Sequence, residues 1–205
     1  MNTELLLHYV QDHLSERRWL HCQGVAAAAA TMARRFGVNE QLAGLAGLIH
    51  DLARELSAER LLSLATDENL PIDPVDRSQP MLLHGPVAAL LLRRDWGVEN
   101  EELLEAVAQH TLGGVQMGRL AKIIYVADLI ELGRSYPGVE HIRALADIDL
   151  NQALRSGFDH TLRYCLEQGR LIHPRTILAR NQLLSEMRAT WYNAGNSDRE
   201  EEELA

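Results

Sequence analysis

Cysteine, aromatic rings and long apolar runs are all scarce in this chain, and each scarcity closes a class of protein. Two cysteines, Cys22 and Cys165, stand far apart among 205 residues. They form neither the dense disulfide framework of a small secreted domain nor a thiolate metal site, and they read as reduced thiols in a cytoplasm. Aromatics make up 5% of the chain. Leu and Ala dominate and β-branched runs are rare, which disfavours sheets and favours an all-α fold. No stretch approaches the roughly 18 apolar residues of a membrane span. The first residues carry an acid, Glu4, and no basic leader, so the chain reads as soluble and untargeted. Basic residues are also in deficit: 20 Lys and Arg against 29 Asp and Glu, a net charge of -9. No broad basic surface is available for nucleic acid. A small anionic substrate stays open if metal ions and a few arginines reverse the local field.

What remains is a soluble helical chain of one-domain size. Helices are predicted over 3–14, 17–36 (stopped by Gly37), from Asn39 to about 53, and from Ser57 to about 69, with Asn39 and Ser57 as caps. Residues 70–82, which hold Pro71, Pro74 and Pro80, are predicted as a long loop with little regular structure. Further helices follow from Gly85-Pro86 to Gly97, from the cap Asn100 to about 111, and over 118–132, 138–147, 149–168 and 174–191. With no internal repeat and no linker, residues 1–195 are expected to form a single-domain helical bundle. The Asp/Glu-rich stretch 196–205 is expected to be a disordered tail.

Against that background, histidines and acids recur on apolar helix faces. His21 shares a stripe with Val25, Ala28 and Met32 at helical spacing. Leu42, Leu45, Ile49 and Leu52 form the next stripe, with His50 and Asp51 on its border. Leu103, Val107 and His110 place another histidine on an apolar stripe, and Asp128 lies inside an almost wholly apolar helix, seven and four residues after Ala121 and Ile124. His84 directly precedes a helix start. A lone histidine on an apolar face is usually a satisfied core residue, and a lone buried acid usually has an arginine partner. The ordered set H…HD…H…H…D is another matter, because imidazole and carboxylate are costly to bury uncompensated. Divalent metal would compensate nearly all of them. These ligands suit Fe, Mn, Co, Zn or Mg. One division assigns His21, His50, Asp51 and Asp128 to one ion and Asp51, His84 and His110 to a second, with Asp51 bridging. Two ions about 3.5–4 Å apart can clamp a phosphate and turn a water into a nucleophile. The same residues could instead hold one ion, leaving His84 and His110 to bind phosphate or donate a proton.

The order of these residues resembles the HD-domain phosphohydrolase superfamily. The local words Arg18-Trp-Leu-His-Cys-Gln-Gly-Val25, Ala46-Gly-Leu-Ile-His-Asp-Leu-Ala-Arg54, Leu83-His-Gly-Pro86, Gln109-His-Thr111, Lys122-Ile-Ile-Tyr-Val-Ala-Asp-Leu-Ile-Glu131 and Leu171-Ile-His-Pro174 are similar to the bacterial YqeK-type family, over about residues 15–185. That resemblance implies an HD-type bundle and a symmetrical hydrolase of diadenosine tetraphosphate that yields two ADP. It also implies an iron-type dimetal site and a homodimer. The chain departs from the family pattern in three places: Arg54 stands where Lys is usual, Leu112 where a second Thr is usual, and Leu132 where Pro is usual. None is a proposed metal ligand.

Catalysis is assigned to Asp51, Arg54, His84 and His110. Substrate contacts are expected from these histidines and Arg54, and from His21, Thr111, Asp128, Arg134, Arg170, His173 and Arg175. The last three belong to a segment, Gly169–Arg175, that opens a helix, where backbone N–H groups suit phosphate or base edges. His8, His13, His141 and His160 fit no pattern. Two other readings keep the metal site: hydrolysis of a different nucleotide, or a metal-bound nucleotide sensor with weak catalysis.

Overall fold

In the computed structural model of the chain, residues 2–203 are described, with side chains through residue 189. Among the described residues the fold is all-helical, with no strand. The helices are α1 (Thr3–His13), α2 (Glu16–Phe36), α3 (Glu40–Ile49), α4 (Ala58–Asp67), α5 (Pro74–Ser78), α6 (His84–Trp96), α7 (Glu101–Gln109), α8 (Arg119–Ile130), α9 (Val139–Ala146), α10 (Leu150–Glu167) and α11 (Pro174–Glu203). A short 3-10 turn, Pro80–Leu83, precedes α6. The acidic stretch 196–205 falls where side chains, and at 204–205 the backbone too, lie outside the described residues.

The caps follow the sequence. Asn39, Ser57 and Asn100 each accept a hydrogen bond from the backbone N–H three residues on, which satisfies a donor the first turn would otherwise leave open. Gly37 and Gly97 end α2 and α6 in the left-handed region that glycine adopts without a Cβ penalty.

Two expectations are corrected. Residues 70–82 are not a plain loop. Pro74 opens α5, and a reciprocal cap holds it: Asp73 accepts from the Val75 N–H (2.8 Å), and Asp76 accepts from the Asp73 N–H (2.9 Å). Proline pre-sets the φ of a first helical turn, so a Pro-rich segment can nucleate short helical pieces. His50 and Asp51 do not sit on the border of a helix stripe either. Helix α3 stops at Ile49, and the turns that follow carry both side chains fully inward, at 0% and 2% exposure.

α8 is the axis of the molecule. Leu120, Ile123, Ile124, Tyr125, Val126 and Ala127 are buried around its whole circumference, as expected of a helix surrounded by others. It packs against α2, α3, α7, α9 and α10. Each fully buried Leu or Ile there contributes about 1.5–3 kcal/mol. The closest helix pair is α2 with α3, made possible by Gly47: a Cβ there would lie 2.6 Å from the Ala26 Cα. That approach brings the start of α2 against the end of α3, and α8 ends beside both.

Candidate metal centre

Five elements deliver one cluster. His21 comes from the first turns of α2, His50 and Asp51 from the turn after α3, His84 from the first residue of α6, His110 from the residue that ends α7, and Asp128 from the last turn of α8. The Asp51 carboxylate is its centre. Oδ1 lies 3.2 Å from His84 Nε2 and 3.7 Å from His110 Nε2, while Oδ2 lies 3.4 Å from His50 Nε2 and 3.8 Å from His21 Nε2. Asp128 Oδ1 is 3.0 Å from His21 Nε2. Three triads have ligand atoms within 4.8 Å of one another: His21, His50 and Asp51; His50, His110 and Asp128; and Asp51, His84 and His110. The six ligands proposed from sequence are therefore all brought together.

The histidine tautomers test whether a metal fits. His50, His84 and His110 each place Nδ1 on the carbonyl three residues back, on Gly47 (2.7 Å), Met81 (2.5 Å) and Val107 (2.7 Å). His21 places Nδ1 3.2 Å from Glu131 Oε1. Carbonyls only accept, so the Nδ1 of His50, His84 and His110 carries a proton and each of these rings turns Nε2 inward; His21 meets a carboxylate at both nitrogens, Glu131 at Nδ1 and Asp128 at Nε2. Orientation of ligating imidazoles through the other ring nitrogen is the rule at metal sites. His21 Nε2 and His50 Nε2 are buried without a hydrogen-bond partner, although carboxylate oxygens lie close. His84 Nε2 and His110 Nε2 face each other at 2.9 Å, two lone pairs that repel unless a cation or proton sits between them. The residues fit a divalent cation.

The electrostatics divide the rings. Burial pushes His50 down to about 4 and lowers His84, which keeps both neutral. Burial acts the same way on His110, but the hydrogen bond and charge of Asp51 outweigh it and raise the ring. Burial would raise Asp51 and Asp128, yet the surrounding histidines hold both carboxyls well below the usual range.

Arginines surround the cluster. Arg134 donates to both the carbonyl and the carboxylate of Asp128, so that acid has the arginine partner of a buried carboxylate as well as a histidine neighbour. Arg54 is half-buried near Asp51 and Asp128 and has no side-chain hydrogen bond or ion pair among the described residues. The Thr111 hydroxyl lies 3.1 Å from His84 Nε2 and 3.0 Å from His110 Nε2.

The remaining substrate candidates lie apart from the cluster. Arg170 sits over the Tyr164 ring, 5.2 Å from its centre. His173 is buried, and its Nδ1 accepts from the Arg175 N–H (3.0 Å), which leaves the Nε2 proton facing Asp76 Oδ1 at 3.3 Å. That is the opposite tautomer from His50, His84 and His110. His173 and Arg175 line a separate cavity of about 560 Å³ beside Gln109. Of the positions that depart from the family pattern, Leu112 is buried and Leu132 is 93% exposed.

Sequence reasoning missed three residues. Arg18 donates to Asp51 Oδ2 at 2.8 Å. Glu131, 6% exposed, orients His21 and also accepts from the Gly133 N–H. Asp76 holds His173. A buried acid directly after an apolar helix was the one signal available for Glu131.

The HD-domain family profile matches residues 18–133. A protein of Bacillus subtilis named "Bis(5'-nucleosyl)-tetraphosphatase, symmetrical" is 38% identical over 185 residues, covering 90% of this chain and 99% of the relative. A protein of the same name from Halalkalibacterium halodurans is 37% identical, covering 92% and 100%. The crystal structure of a "predicted HD superfamily hydrolase involved in NAD metabolism" from Clostridium acetobutylicum superposes with a TM-score of 0.87 at 36% identity, covering 91% of this chain and 98% of that one.

Proposed function

This chain belongs to the HD-domain family, and we propose that it is a symmetrical bis(5'-nucleosyl)-tetraphosphatase, a metal-dependent hydrolase that splits diadenosine tetraphosphate centrally. The observation that carries this is the convergence of four imidazole Nε2 atoms on the two oxygens of one aspartate, in a chain that aligns over about nine-tenths of its length with hydrolases of that name. The intact ligand set also stands against a sensor that has lost its chemistry.

Asp51, with one oxygen toward His84 and His110 and the other toward His21 and His50, is the residue suited to serve two ions. His21, His50, Asp51 and Asp128 would hold one, and Asp51, His84 and His110 the other. Divalent metal bound there supplies Lewis acidity and a water activated near neutral pH. Iron is the proposed native ion on the resemblance to the family; the imidazole and carboxylate set, without thiolate, also suits manganese, cobalt, zinc or magnesium.

The reaction adds one water to the tetraphosphate. A P–O bond forms at a central phosphorus, the bond to the central bridging oxygen breaks, and two ADP result. Arg54, which has no side-chain hydrogen bond or ion pair among the described residues, would meet the charge that develops on the departing phosphate. Arg18 holds Asp51 in place, and Glu131 holds His21. Thr111 is proposed as a hydroxyl contact to a phosphate oxygen.

No helix among the described residues is long and apolar enough to cross a membrane. We place the protein in the cytoplasm as a homodimer. Exposed Leu166, Leu171, Ile177 and Leu178, around the junction of α10 and α11, support a second copy packing there.

Chromatography of products tests the function. With iron, manganese or cobalt supplied, diadenosine tetraphosphate should give ADP alone. AMP with ATP would mean attack away from the centre, and no turnover with any of the three metals would remove the reading.

A further inference from the structure

The turn that carries His50 and Asp51 is not held by a regular helix. Between Ile49 and Leu56 its backbone bonds close over three residues: Leu52 N–H to the Ile49 carbonyl, Arg54 to Asp51 and Leu56 to Ala53. Such ladders have poorer hydrogen-bond geometry than an α-helix. Two side-chain ties hold this turn to the start of α2. The inner tie is Arg18 on Asp51 Oδ2 (2.8 Å). The outer tie is Glu55, whose Oε2 accepts from the Ser15 N–H (2.7 Å) and whose Oε1 accepts from the Ser15 hydroxyl (2.6 Å). Ser15 is also the cap of α2, and its Oγ accepts from the Arg18 N–H (3.4 Å). One hydroxyl thus donates to Glu55 and accepts from Arg18. Ser15, Arg18, Asp51 and Glu55 thereby close a ring. One tie alone would let the helix start pivot about it; two fix its direction.

Charge works the same way. Glu55 is exposed, yet the Ser15 hydroxyl above all holds its carboxyl below the usual carboxylate range. Arg18 and Arg54 repel each other beside Asp51, and the Glu55 charge attracts both. An exposed carboxylate contributes little to stability, so the weight of this contact falls on where Arg18 points.

We propose that Glu55 is a positioning residue: by clamping Ser15 it aims the Arg18 guanidinium at Asp51 Oδ2, and so sets how the Asp51 carboxylate presents its two oxygens to the histidines. Glu55 touches neither metal nor substrate and acts through Arg18. Its effect on turnover rests on the hydrolase reading above, whereas its effect on Asp51 does not.

A double-substitution cycle on the full chain tests this, read by manganese titration of chelator-stripped protein and by ADP release at saturating manganese and diadenosine tetraphosphate. Circular dichroism checks that each variant is folded. Glu55→Ala should weaken manganese binding and lower kcat by about tenfold each, a fraction of the hundredfold that a misplacement of about 1 Å can cost. In an Arg18→Ala background the same substitution should change neither by more than about twofold, because the group it acts through is gone. Glu55→Gln keeps both contacts with Ser15 if the hydroxyl turns to accept from the amide, and should recover most of the loss. Ser15→Ala, which removes the hydroxyl half of the clamp, should act in the same direction as Glu55→Ala and again only where Arg18 is present. Equal losses from Glu55→Ala with and without Arg18 would overturn the proposal, because a part in general stability is additive. Manganese affinity and kcat both within about twofold of wild type in Glu55→Ala would overturn it as well, since that is the scatter of independent sites. Wild-type ADP release with an unaltered Glu55→Ala enzyme would remove the clamp and leave the hydrolase. Manganese affinity lost through Arg18 in a protein that releases no ADP would remove the hydrolase reading and leave the clamp.

Discussion

Replacement of Asp51 by Asn separates the two jobs that the central carboxylate performs. The change is isosteric. If the amide oxygen keeps the Arg18 hydrogen bond at 2.8 Å, the NH2 group faces His84 Nε2 at 3.2 Å. That nitrogen is an acceptor, because the His84 Nδ1 proton is on the Met81 carbonyl. The metal-free fold therefore keeps the Arg18 and His84 contacts and gives up only the carboxylate oxygen that faces His110. It loses the charge assistance of one Arg–carboxylate bond, about 1 kcal/mol, the gap between charged and neutral hydrogen bonds. For a chain of this size that is about 2–4 °C in Tm. Metal binding should fare much worse. Removing a group that merely orients a ligand costs about 10–100-fold in affinity, and Asp51 is itself placed against both halves of the cluster. A loss above a hundredfold in affinity and about a thousandfold in turnover is expected, the latter equal to about 4 kcal/mol of transition-state stabilisation. Thermal melting by circular dichroism, metal titration of chelator-stripped protein, and ADP release would read the three quantities. Wild-type metal affinity with turnover within tenfold would refute the assignment. A collapse of Tm by more than 10 °C would refute it differently, by showing that the cluster holds the fold rather than an ion.

Three further outcomes are expected. Glu131→Gln can keep the Gly133 N–H bond through its oxygen and must then offer NH2 to His21 Nδ1; that moves the ring proton to Nε2, and metal affinity should fall about 10–100-fold with little change in melting. Gly47→Val puts a Cβ against the Ala26 backbone at 2.6 Å, which cannot yield, so α2 and α3 must part; a loss of about 1–3 kcal/mol or more and weakened metal binding should appear together in melting and titration. His50 is held neutral in the metal-free fold down to about pH 4, whereas the unfolded chain protonates it near 6.5. The unfolded state then binds more protons between those values, so metal-free stability should fall as pH drops from about 6.5 to 4, at up to about 1.4 kcal/mol per unit, and level off below. Urea titrations of His50→Gln should show a flatter dependence, and an equal slope in both proteins would contradict the assignment.

How much of this could be read from the chain alone depended on whether the controlling interaction was local. The caps Asn39, Ser57 and Asn100, the stops at Gly37 and Gly97, and the apolar stripes that carry His21 and His110 are set by residues within one or two turns, and the structure realises them as expected. The list of candidate ligands was equally legible, because an imidazole or a carboxylate on an apolar face advertises a burial cost wherever its partner lies. What was hidden is the pairing. Arg18 reaches Asp51 across 33 positions, Glu131 reaches His21 across 110, and His173 meets Asp76 through a short helix in a segment that sequence assigned to a loop. The inward turn of His50 and Asp51 was hidden too, since it depends on where α3 stops against its neighbours and not on helical period. Sequence by itself determined a helical chain and the residues able to hold a metal. Only the tertiary structure decided which Asp51 oxygen faces which histidines, which tautomer each ring adopts, and that Glu55 ties the start of α2 to the Asp51 turn, because those follow from distances between helices far apart in the chain.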